Sequence, residues 1–251
     1  MAKAMTTAAD AGSRDQRKTT KPLSTRRARQ IRRQQLIDAT LECLAEFGHS
    51  GTTVRVVCAR AGVSPGMVKL YFEGIDDLIA ASYAYLGTYV ADIFEQAMAQ
   101  AGDDPLKRLR AVVDANFRSP VLARNKLPIW LAFWSLVPTK IEIRKAHAMI
   151  YGRYRHRLGK LIERIAAAHA LDLDVRRTVF ALVAMIEGLW LQLCLEPSRF
   201  SLNTAESFAH SWIDAMVAGR FSPGARAEPR SRNSKRSASV RDTGSRQRGA
   251  R

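Results

Sequence analysis

The sequence has few cysteines and none of the spacings that bind metals or nucleotides. Cys43, Cys58 and Cys194 are odd in number, far apart and placed in apolar helical patterns, which excludes a disulfide scaffold. We expect them to be small buried residues in a reducing compartment. The five histidines show no H-x-x-x-H or Cys/His spacing, and neither a Walker loop nor a G-x-G-x-x-G motif occurs. The sequence therefore predicts neither a metal site nor a cofactor.

Long apolar runs are nearly missing. Residues 1–23 lack the apolar core of a secretory signal, and their Arg, Lys and Thr content favours a disordered basic arm, although it also suits a transit peptide. The run over 179–195 approaches membrane-span length but carries Glu187 and Gln192. A carboxylate in the middle of a bilayer costs roughly 2.5–3.5 kcal/mol. We therefore expect a helix buried between helices or subunits, a cytoplasmic protein and no membrane partner.

Acidic residues are scarce at both ends of the 251-residue chain. Residues 1–33 hold ten Lys or Arg and two Asp, and residues 221–251 hold nine Lys or Arg, one Glu and one Asp. The stretch between them carries a net charge of only +2 out of +17. A nearly neutral globular body with two basic tails suggests a polyanionic partner, either nucleic acid or an anionic surface, unless the tails serve solubility alone.

The apolar period is helical throughout the body, and neither a set of strands nor an internal repeat is visible. We predict an all-α fold of about nine helices. The predicted segments are a disordered arm over 1–23, a first helical domain over 24–73, a second helical domain over 74–220 and a disordered tail over 221–251. The helices are expected over about 25–48, 53–61, 64–72, from 76, 104–117, 127–137, 139–170, 174–195 and 204–218.

Caps and turns give the first helices sharp boundaries. An apolar stripe, Leu36, Ile37, Leu41, Leu44 and Phe47, belongs to a first helix that Gly48 ends. Thr53 can cap the second helix, and the third is expected to begin with Ser64 as its N-cap and Pro65 at its first position. Further along, Thr204 is expected to cap the ninth helix, with only a weak partner in Ser207.

Residues 53–72 form a helix-turn-helix pattern, two helices joined by a short turn at Gly62 and Val63. The second helix has a slim, capped N-terminus that suits the major groove, and Phe72 is expected in the core. The arm leading into helix 1 adds arginines that neutralise phosphates or reach the minor groove. The predicted DNA-binding residues are Arg26, Arg27, Arg29, Arg32, Arg33, Thr53, Ser64, Pro65, Gly66, Met67, Lys69, Leu70 and Tyr71.

The same segment also matches a nucleophile motif. Residues 62–66 read G-x-S-x-G, and Asp174 and His210 follow in hydrolase order. Such a motif needs a strand before it and a sheet around it, and only Val54–Ala61 could supply one. A serine hydrolase is therefore a remote alternative, and we expect no enzymatic activity.

The residues around this motif resemble the TetR family of repressors. The resemblance rests on Leu36 to Leu41, Phe47-Gly48, Thr53, Ala61 to Ser64, Gly66 and Tyr71-Phe72. It implies an all-helical homodimer whose first three helices bind DNA and whose other helices bind an effector and dimerise. The family usually has a Lys after the Tyr-Phe pair that meets the phosphate backbone. Here Ile75 stands in its place, and Lys69 is a candidate substitute.

Three separated segments also resemble the choline-responsive BetI-type branch: Asn116-Phe117, Trp130 to Trp134, and Gly188 to Leu191. This resemblance implies control of glycine betaine synthesis by choline or a related amine. It also makes Asn116 and Phe117 candidate pocket residues. Helices 8 and 9, with Trp212, are then expected to form the interface between subunits. The dimer is expected to bind a pseudo-palindromic operator in the bacterial nucleoid.

Aromatic spacing agrees with a quaternary ammonium ligand. Trp130, Phe133 and Trp134 share one helix face, and Glu187 and Trp190 lie three residues apart on the eighth helix. Ring faces hold a trimethylammonium group, and a carboxylate balances its charge. Two alternatives stay open: the rings fill the core, and Glu187 pairs with an Arg such as Arg153 or Arg157 or faces solvent. His147 and Tyr151 share a face that we interpret as solvated.

Overall fold

The computed structural model describes residues 25–122 and 126–221, and within these ranges the chain is helical and contains no strand. The all-α prediction is confirmed. The predicted arm over 1–23 lies outside the described residues, and so does the tail predicted over 221–251 apart from Phe221. The helices are α1 (Thr25–Gly51), α2 (Val54–Ala61), α3 (Gly66–Tyr71), α4 (Ile75–Gln100), α5 (Pro105–Asn116), α6 (Lys126–Leu136), α7 (Ile141–Ala168), α8 (Val175–Leu195) and α9 (Leu202–Val217).

Local sequence explains most boundaries of the first helices. Gly48 breaks α1 with a φ of 62° and a ψ of −168°, after which one short turn runs to Gly51. The Thr53 hydroxyl accepts from the Val56 amide, and Gly62 ends α2 in the left-handed region with a φ of 65°. The Ser64 prediction is wrong: α3 begins at Gly66 after Pro65, and no side chain caps it. Ser64 instead offers its backbone carbonyl to the Met67 amide.

Helices α1 to α3 close around a small core that also takes in the start of α4. The buried members include two of the three cysteines predicted to be buried, and burial raises the pKa of the Cys43 and Cys58 thiols. The prediction is wrong for Cys194, which is only half-buried. Phe47 departs from the predicted stripe, because it is 44% exposed and lies under the Arg60 guanidinium. The core consists of Leu36, Ile37, Ala39, Cys43, Val57, Cys58, Val68, Phe72 and Leu78.

The chain divides into two compact units. The first comprises the described residues up to Ile93 and those of 118–153, and the second comprises 94–117 and the described residues from Tyr154 onward. In the first unit α1 packs against α6. The α4 backbone also approaches α7 there, since a Cβ on Gly87 would lie 2.7 Å from the Ile150 side chain. Lys140 Nζ lies 2.7 Å from Asp76 Oδ2, which ties the start of α7 to the first turn of α4.

In the second unit α9 packs against α5 and α8. Asp104 caps α5 and Asp174 caps α8, at the positions where these helices were predicted to start. Helix α9 begins earlier than expected because Ser201, not Thr204, caps it. His210 of α9 lies 2.6 Å from Asp114 of α5. Because the Arg110 guanidinium can only donate, its contact with His210 Nδ1 makes that nitrogen the acceptor and leaves Nε2–H to face Asp114.

Among the described helices only Val175–Leu195 is long and apolar enough to cross a membrane, and 33% of its most apolar window is buried. Length and composition are weak support for a membrane span, because the core helix of a soluble protein passes the same test. The buried face of α8, Thr178, Val179, Leu182, Val183, Ile186 and Trp190, is consistent with the predicted core helix.

Candidate DNA interface and ligand site

Helix α3 is only six residues long, and most of its surface is exposed. Val68 is buried and holds the helix on the core, while Lys69 is exposed and Leu70 is 61% exposed. Ser64, Pro65 and Gly66 are also exposed, whereas Met67 and Tyr71 are half-buried. An exposed leucine beside a lysine can meet a thymine methyl group and a phosphate or base edge in the major groove. The predicted recognition residues are therefore all at least partly exposed and lie on or next to α3.

The predicted arm of arginines is not an arm, because Arg26 to Arg33 lie inside α1, which begins at Thr25. All five arginines are exposed. Two of them contact the end of α3: Arg29 Nη2 donates to the Leu70 carbonyl at 3.4 Å, and the Arg33 guanidinium lies 4.9 Å from the centre of the Phe72 ring. Arg32 instead donates to Gln35 of its own helix at 2.9 Å.

The seven predicted ligand residues fall into two groups, one in each unit. Trp130, Phe133 and Trp134 belong to the first unit, where they join a larger aromatic cluster. Phe133 is fully buried and stacks on Tyr83 with ring centres 4.4 Å apart, and Trp130 meets the same ring edge-on at 5.9 Å. Trp134 Nε1 donates to the Tyr151 hydroxyl at 3.0 Å.

The first-unit cluster corrects the solvated interpretation of His147 and Tyr151. Tyr151 is buried, its ring stacks on that of His147 at 4.1 Å, and His147 Nδ1 lies 2.9 Å from the Tyr83 hydroxyl. The cluster therefore links α4, α6 and α7. The period of α7 places both side chains on one face, but only the packing of α4 and α6 shows that this face is covered.

Asn116, Phe117, Glu187 and Trp190 belong to the second unit. Asn116, Phe117 and Trp190 are buried. Trp190 Nε1 donates to the Asn116 backbone carbonyl at 3.1 Å, so α8 is fastened to the C-terminus of α5. The Asn116 side chain donates to the Val112 carbonyl at 2.7 Å and lies 3.4 Å from the Tyr154 hydroxyl.

Tyr154 and Phe94 complete this second group, and the sequence reasoning missed both. Their rings stack with centres 5.4 Å apart. Burial raises the pKa of Tyr154, the Asn116 hydrogen bond opposes that rise, and the nearby Glu187 charge adds to it. The phenol therefore keeps its proton at neutral pH. Arg157, one suggested partner of Glu187, places its Nε 2.9 Å from Glu95.

The outer face of α8 carries a regular apolar stripe. Ala181, Ala184, Gly188, Leu191 and Leu195 are all exposed, and their spacing of three, four, three and four residues keeps them on one face. A Cβ on Gly188 would meet no atom within 4 Å. On α9, Leu202 and Phe208 are also exposed, at 45% and 56%. Contiguous exposed apolar faces commonly mark protein contacts.

Sequence comparisons assign the chain to a family. Residues 36–82 match the domain described as bacterial regulatory proteins, tetR family, and residues 105–218 match the one described as BetI-type transcriptional repressor, C-terminal. A Burkholderia thailandensis protein named HTH-type transcriptional regulator BetI is 35% identical over 193 residues, covering 76% of this chain and 96% of that protein. The chain belongs to the BetI-type branch of the TetR family. It is a DNA-binding transcriptional repressor.

Solved structures show the same TetR fold. A chain from Pseudomonas aeruginosa PAO1 described as a transcriptional regulator is 33% identical, with a TM-score of 0.70 over 76% of this chain and 92% of that one. A transcriptional regulator of Saccharomonospora viridis, crystallised in complex with choline, has a TM-score of 0.64 at 20% identity, covering 74% of this chain and 96% of that chain. At 20% identity, the likeness to the Saccharomonospora viridis protein shows a shared fold alone.

Membership of the TetR family excludes the serine hydrolase alternative. A nucleophile motif needs a preceding strand, and here Gly62 to Pro65 form the turn between helices α2 and α3, and Gly66 is the first residue of α3. The Asp174 carboxylate caps α8, and His210 faces Asp114. The chain is a regulator and not an enzyme.

The departure from the TetR pattern at Ile75 also has a structural counterpart. Ile75 is half-buried and packs against the core of the first three helices. It therefore adds apolar contact where the family usually places a phosphate-binding lysine. Lys69 is exposed on α3 and stays the candidate that replaces this contact.

Proposed function

We propose that this repressor controls genes for choline uptake and glycine betaine synthesis and that choline, or a related quaternary amine, releases it from DNA. One observation carries the ligand proposal. Burial and the charge of Glu187 both raise the pKa of Tyr154, whose ring stacks on that of Phe94. The Tyr154 hydroxyl lies 3.4 Å from the Asn116 side chain, and the Trp190 indole donates to the Asn116 carbonyl, so these rings form one cluster. The BetI names of the relatives and a fold neighbour crystallised with choline agree with this chemistry.

The second-unit cluster has the groups that a trimethylammonium cation needs. Such a cation donates no conventional N–H hydrogen bond and is held by ring faces, each worth roughly 0.5–2 kcal/mol. The hydrogen bond to the Asn116 carbonyl fixes the ring plane of Trp190, and the Tyr154 hydroxyl lies 3.4 Å from the Asn116 side chain, so both rings are held in place. The half-buried Glu187 supplies the balancing charge. In the alternative, these rings are structural and the effector is different or absent.

DNA binding is expected to use two copies of the chain. TetR-family regulators bind operators and typically act as dimers, and we assign the apolar faces of α8 and α9 to the contact between subunits. Two α3 helices about one DNA turn apart would read a pseudo-palindromic site. The protein then works in the cytoplasm, on the bacterial nucleoid.

Release from DNA is a shift between two populations. A ligand moves this equilibrium only by the difference between its affinities for the DNA-binding state and the released state. Choline must therefore bind better to the state whose α3 helices have the wrong separation. The proposal requires no new contact between choline and DNA, only this difference in affinity.

Fluorescence anisotropy with a duplex from upstream of the protein's own gene tests both halves of the proposal. We expect tight, sequence-selective binding that added choline weakens, because choline favours the released state. Tetramethylammonium serves as a cation of similar size without the hydroxyl. Binding that is tight but indifferent to choline would remove the ligand proposal and leave the repressor, and a panel of other cationic metabolites would follow.

The basic tail gives a separate prediction for the salt dependence of DNA binding. Truncation after Phe221 removes nine Lys or Arg, Glu228 and Asp242 but keeps Phe221, whose ring lies 5.0 Å from that of Trp212. Each lost phosphate contact should flatten the slope of log affinity against log salt by about 0.9. We expect the slope to flatten by at least about 0.9, as for one lost phosphate contact. Anisotropy measures it between about 50 and about 300 mM KCl, a range on either side of the roughly 0.1 M at which the Debye length is about 10 Å.

The control for the truncation keeps the tail length and changes its nine Lys and Arg to Gln. It should flatten the slope as much as the truncation does, because charge and not length is responsible. A slope that stays at the full-length value in both variants would contradict a role of the tail in DNA binding.

A further inference from the structure

Helix α3 has little of its own to hold it in place. It has six residues and no side-chain N-cap, and of its residues only Val68 is buried. At its C-terminal end the Phe72 amide bonds back to the Val68 carbonyl, which leaves the later carbonyls without an intrahelical donor. A helix this short needs external contacts to keep a fixed orientation, and base readout depends on that orientation.

Two arginines of α1 supply contacts at this end. Arg29 donates to the Leu70 carbonyl, and its guanidinium lies 5.9 Å from the centre of the Tyr71 ring. Arg33, one helical turn later on the same face of α1, lies 4.9 Å from the centre of the Phe72 ring. Three consecutive residues at the end of α3 are therefore contacted by cations, which also suit the negative end of a helix.

We infer that Arg29 and Arg33 are positioning residues that set the angle of the recognition helix, and that they do not serve as phosphate contacts. The guanidinium plane can lie against a ring while its edge donates to a carbonyl, which the compact ammonium of lysine cannot do at once. The inference needs only the DNA binding of the TetR family and is independent of the proposed choline response.

The alternative assignment, phosphate binding, predicts a different result in salt titrations. A side chain that neutralises a phosphate contributes about 0.9 to the slope of log affinity against log salt, or about 1.8 for a dimer that carries it twice. A positioning residue contributes nothing to that slope but contributes to the affinity ratio between operator and unrelated DNA. The two roles are therefore separable without a structure of the complex.

The test uses the full-length chain with Arg29→Gln, Arg29→Lys and Arg33→Gln, and it compares them with Arg32→Gln, which changes an arginine predicted to bind DNA. Arg32 is exposed on the same stretch of α1 and bonds to Gln35 of its own helix. The operator is the duplex that the wild-type protein selects from a random pool, and a scrambled duplex of equal length reports unspecific binding. Affinities are measured for both duplexes at five KCl concentrations, with thermal unfolding recorded for each variant.

We expect Arg29→Gln to bind the operator about tenfold more weakly than the wild-type protein, with the salt slope and the scrambled duplex unchanged. Arg29→Lys should restore the affinity only in part. Arg33→Gln should behave like Arg29→Gln, whereas Arg32→Gln should weaken binding to both duplexes alike and so leave the ratio of operator to scrambled binding at its wild-type value. A slope that falls by about 1.8 in Arg29→Gln, or full restoration by Arg29→Lys, would overturn the inference.

Discussion

Gly188→Arg is expected to convert the protein from a dimer into a folded monomer. Gly188 lies in the middle of the exposed apolar stripe of α8, and a Cβ there meets no atom of its own chain within 4 Å. The larger side chain is therefore accommodated within one chain, and replacing glycine inside a helix favours the helix by up to about 1 kcal/mol. In a contact between two α8 helices the same arginine would place two cations against each other. Analytical ultracentrifugation should show the mass falling by half.

Operator affinity should fall with the dimer. Because both half-sites must be engaged together, loss of the second recognition helix should weaken binding by about a hundredfold or more. Gly152→Arg is the matched control: Gly152 is exposed on α7, its Cβ also meets no atom within 4 Å, and the added charge is the same. A second variant, Phe208→Glu, addresses the exposed face of α9. Dimers that persist in Gly188→Arg and Phe208→Glu alike would place the subunit contact elsewhere.

Features determined by neighbouring residues were predictable from the sequence. Thr53 caps α2 as predicted, and Asp104 and Asp174 cap α5 and α8 at the predicted starts of these helices, because each cap needs only an amide two or three residues away. Gly62 likewise ends α2, since its left-handed φ of 65° follows from local sterics. The apolar face of α4 was equally predictable, because a helix of 26 residues repeats its pattern many times.

Three of the incorrect predictions concern residues at or beside the end of a helix, where small local differences decide the outcome. Ser64 stands one residue before Pro65, and the chain uses its carbonyl where the sequence suggested its hydroxyl. Ser201 captures the Thr204 amide, so α9 begins one turn earlier than Thr204 itself would allow. Phe47 follows the helical period of α1 but lies beside Gly48, where the helix breaks, and so it turns towards Arg60 and solvent.

The ligand site was only half predictable for a different reason. Glu187 and Trp190 lie three residues apart, so their shared face is visible in the sequence. Tyr154 joins them through Asn116, 38 residues away in the chain, and Trp190 reaches Asn116 across 74 residues. No periodicity links positions so distant. The resemblance to the BetI branch suggested Asn116, but the basic composition of α7 gave no sign that Tyr154 faces inward.

Glu187→Gln is expected to weaken choline binding between tenfold and a hundredfold. At about 4 Å and an effective dielectric constant near 20, a carboxylate and a cation attract by about 4 kcal/mol, part of which offsets the desolvation of both charges. A remainder of about 1.4–2.8 kcal/mol corresponds to that loss in affinity. Glutamine keeps the size of the side chain, so the packing of α8 should survive. Isothermal titration calorimetry with the DNA-free protein measures the change.

A neutral isostere of choline, 3,3-dimethyl-1-butanol, separates charge from packing. It has the shape of choline with carbon in place of nitrogen, so it should bind weakly to the wild-type protein and equally weakly to Glu187→Gln. Glu163→Gln, an exposed carboxylate on α7, is the matched control and should bind choline as the wild-type protein does. Trp190→Phe should lose affinity for both ligands, because it removes the indole face and the hydrogen bond that orients it. If Glu187→Gln binds choline with wild-type affinity, the carboxylate does not balance the ligand charge, and the rings around it fill the core of the second unit.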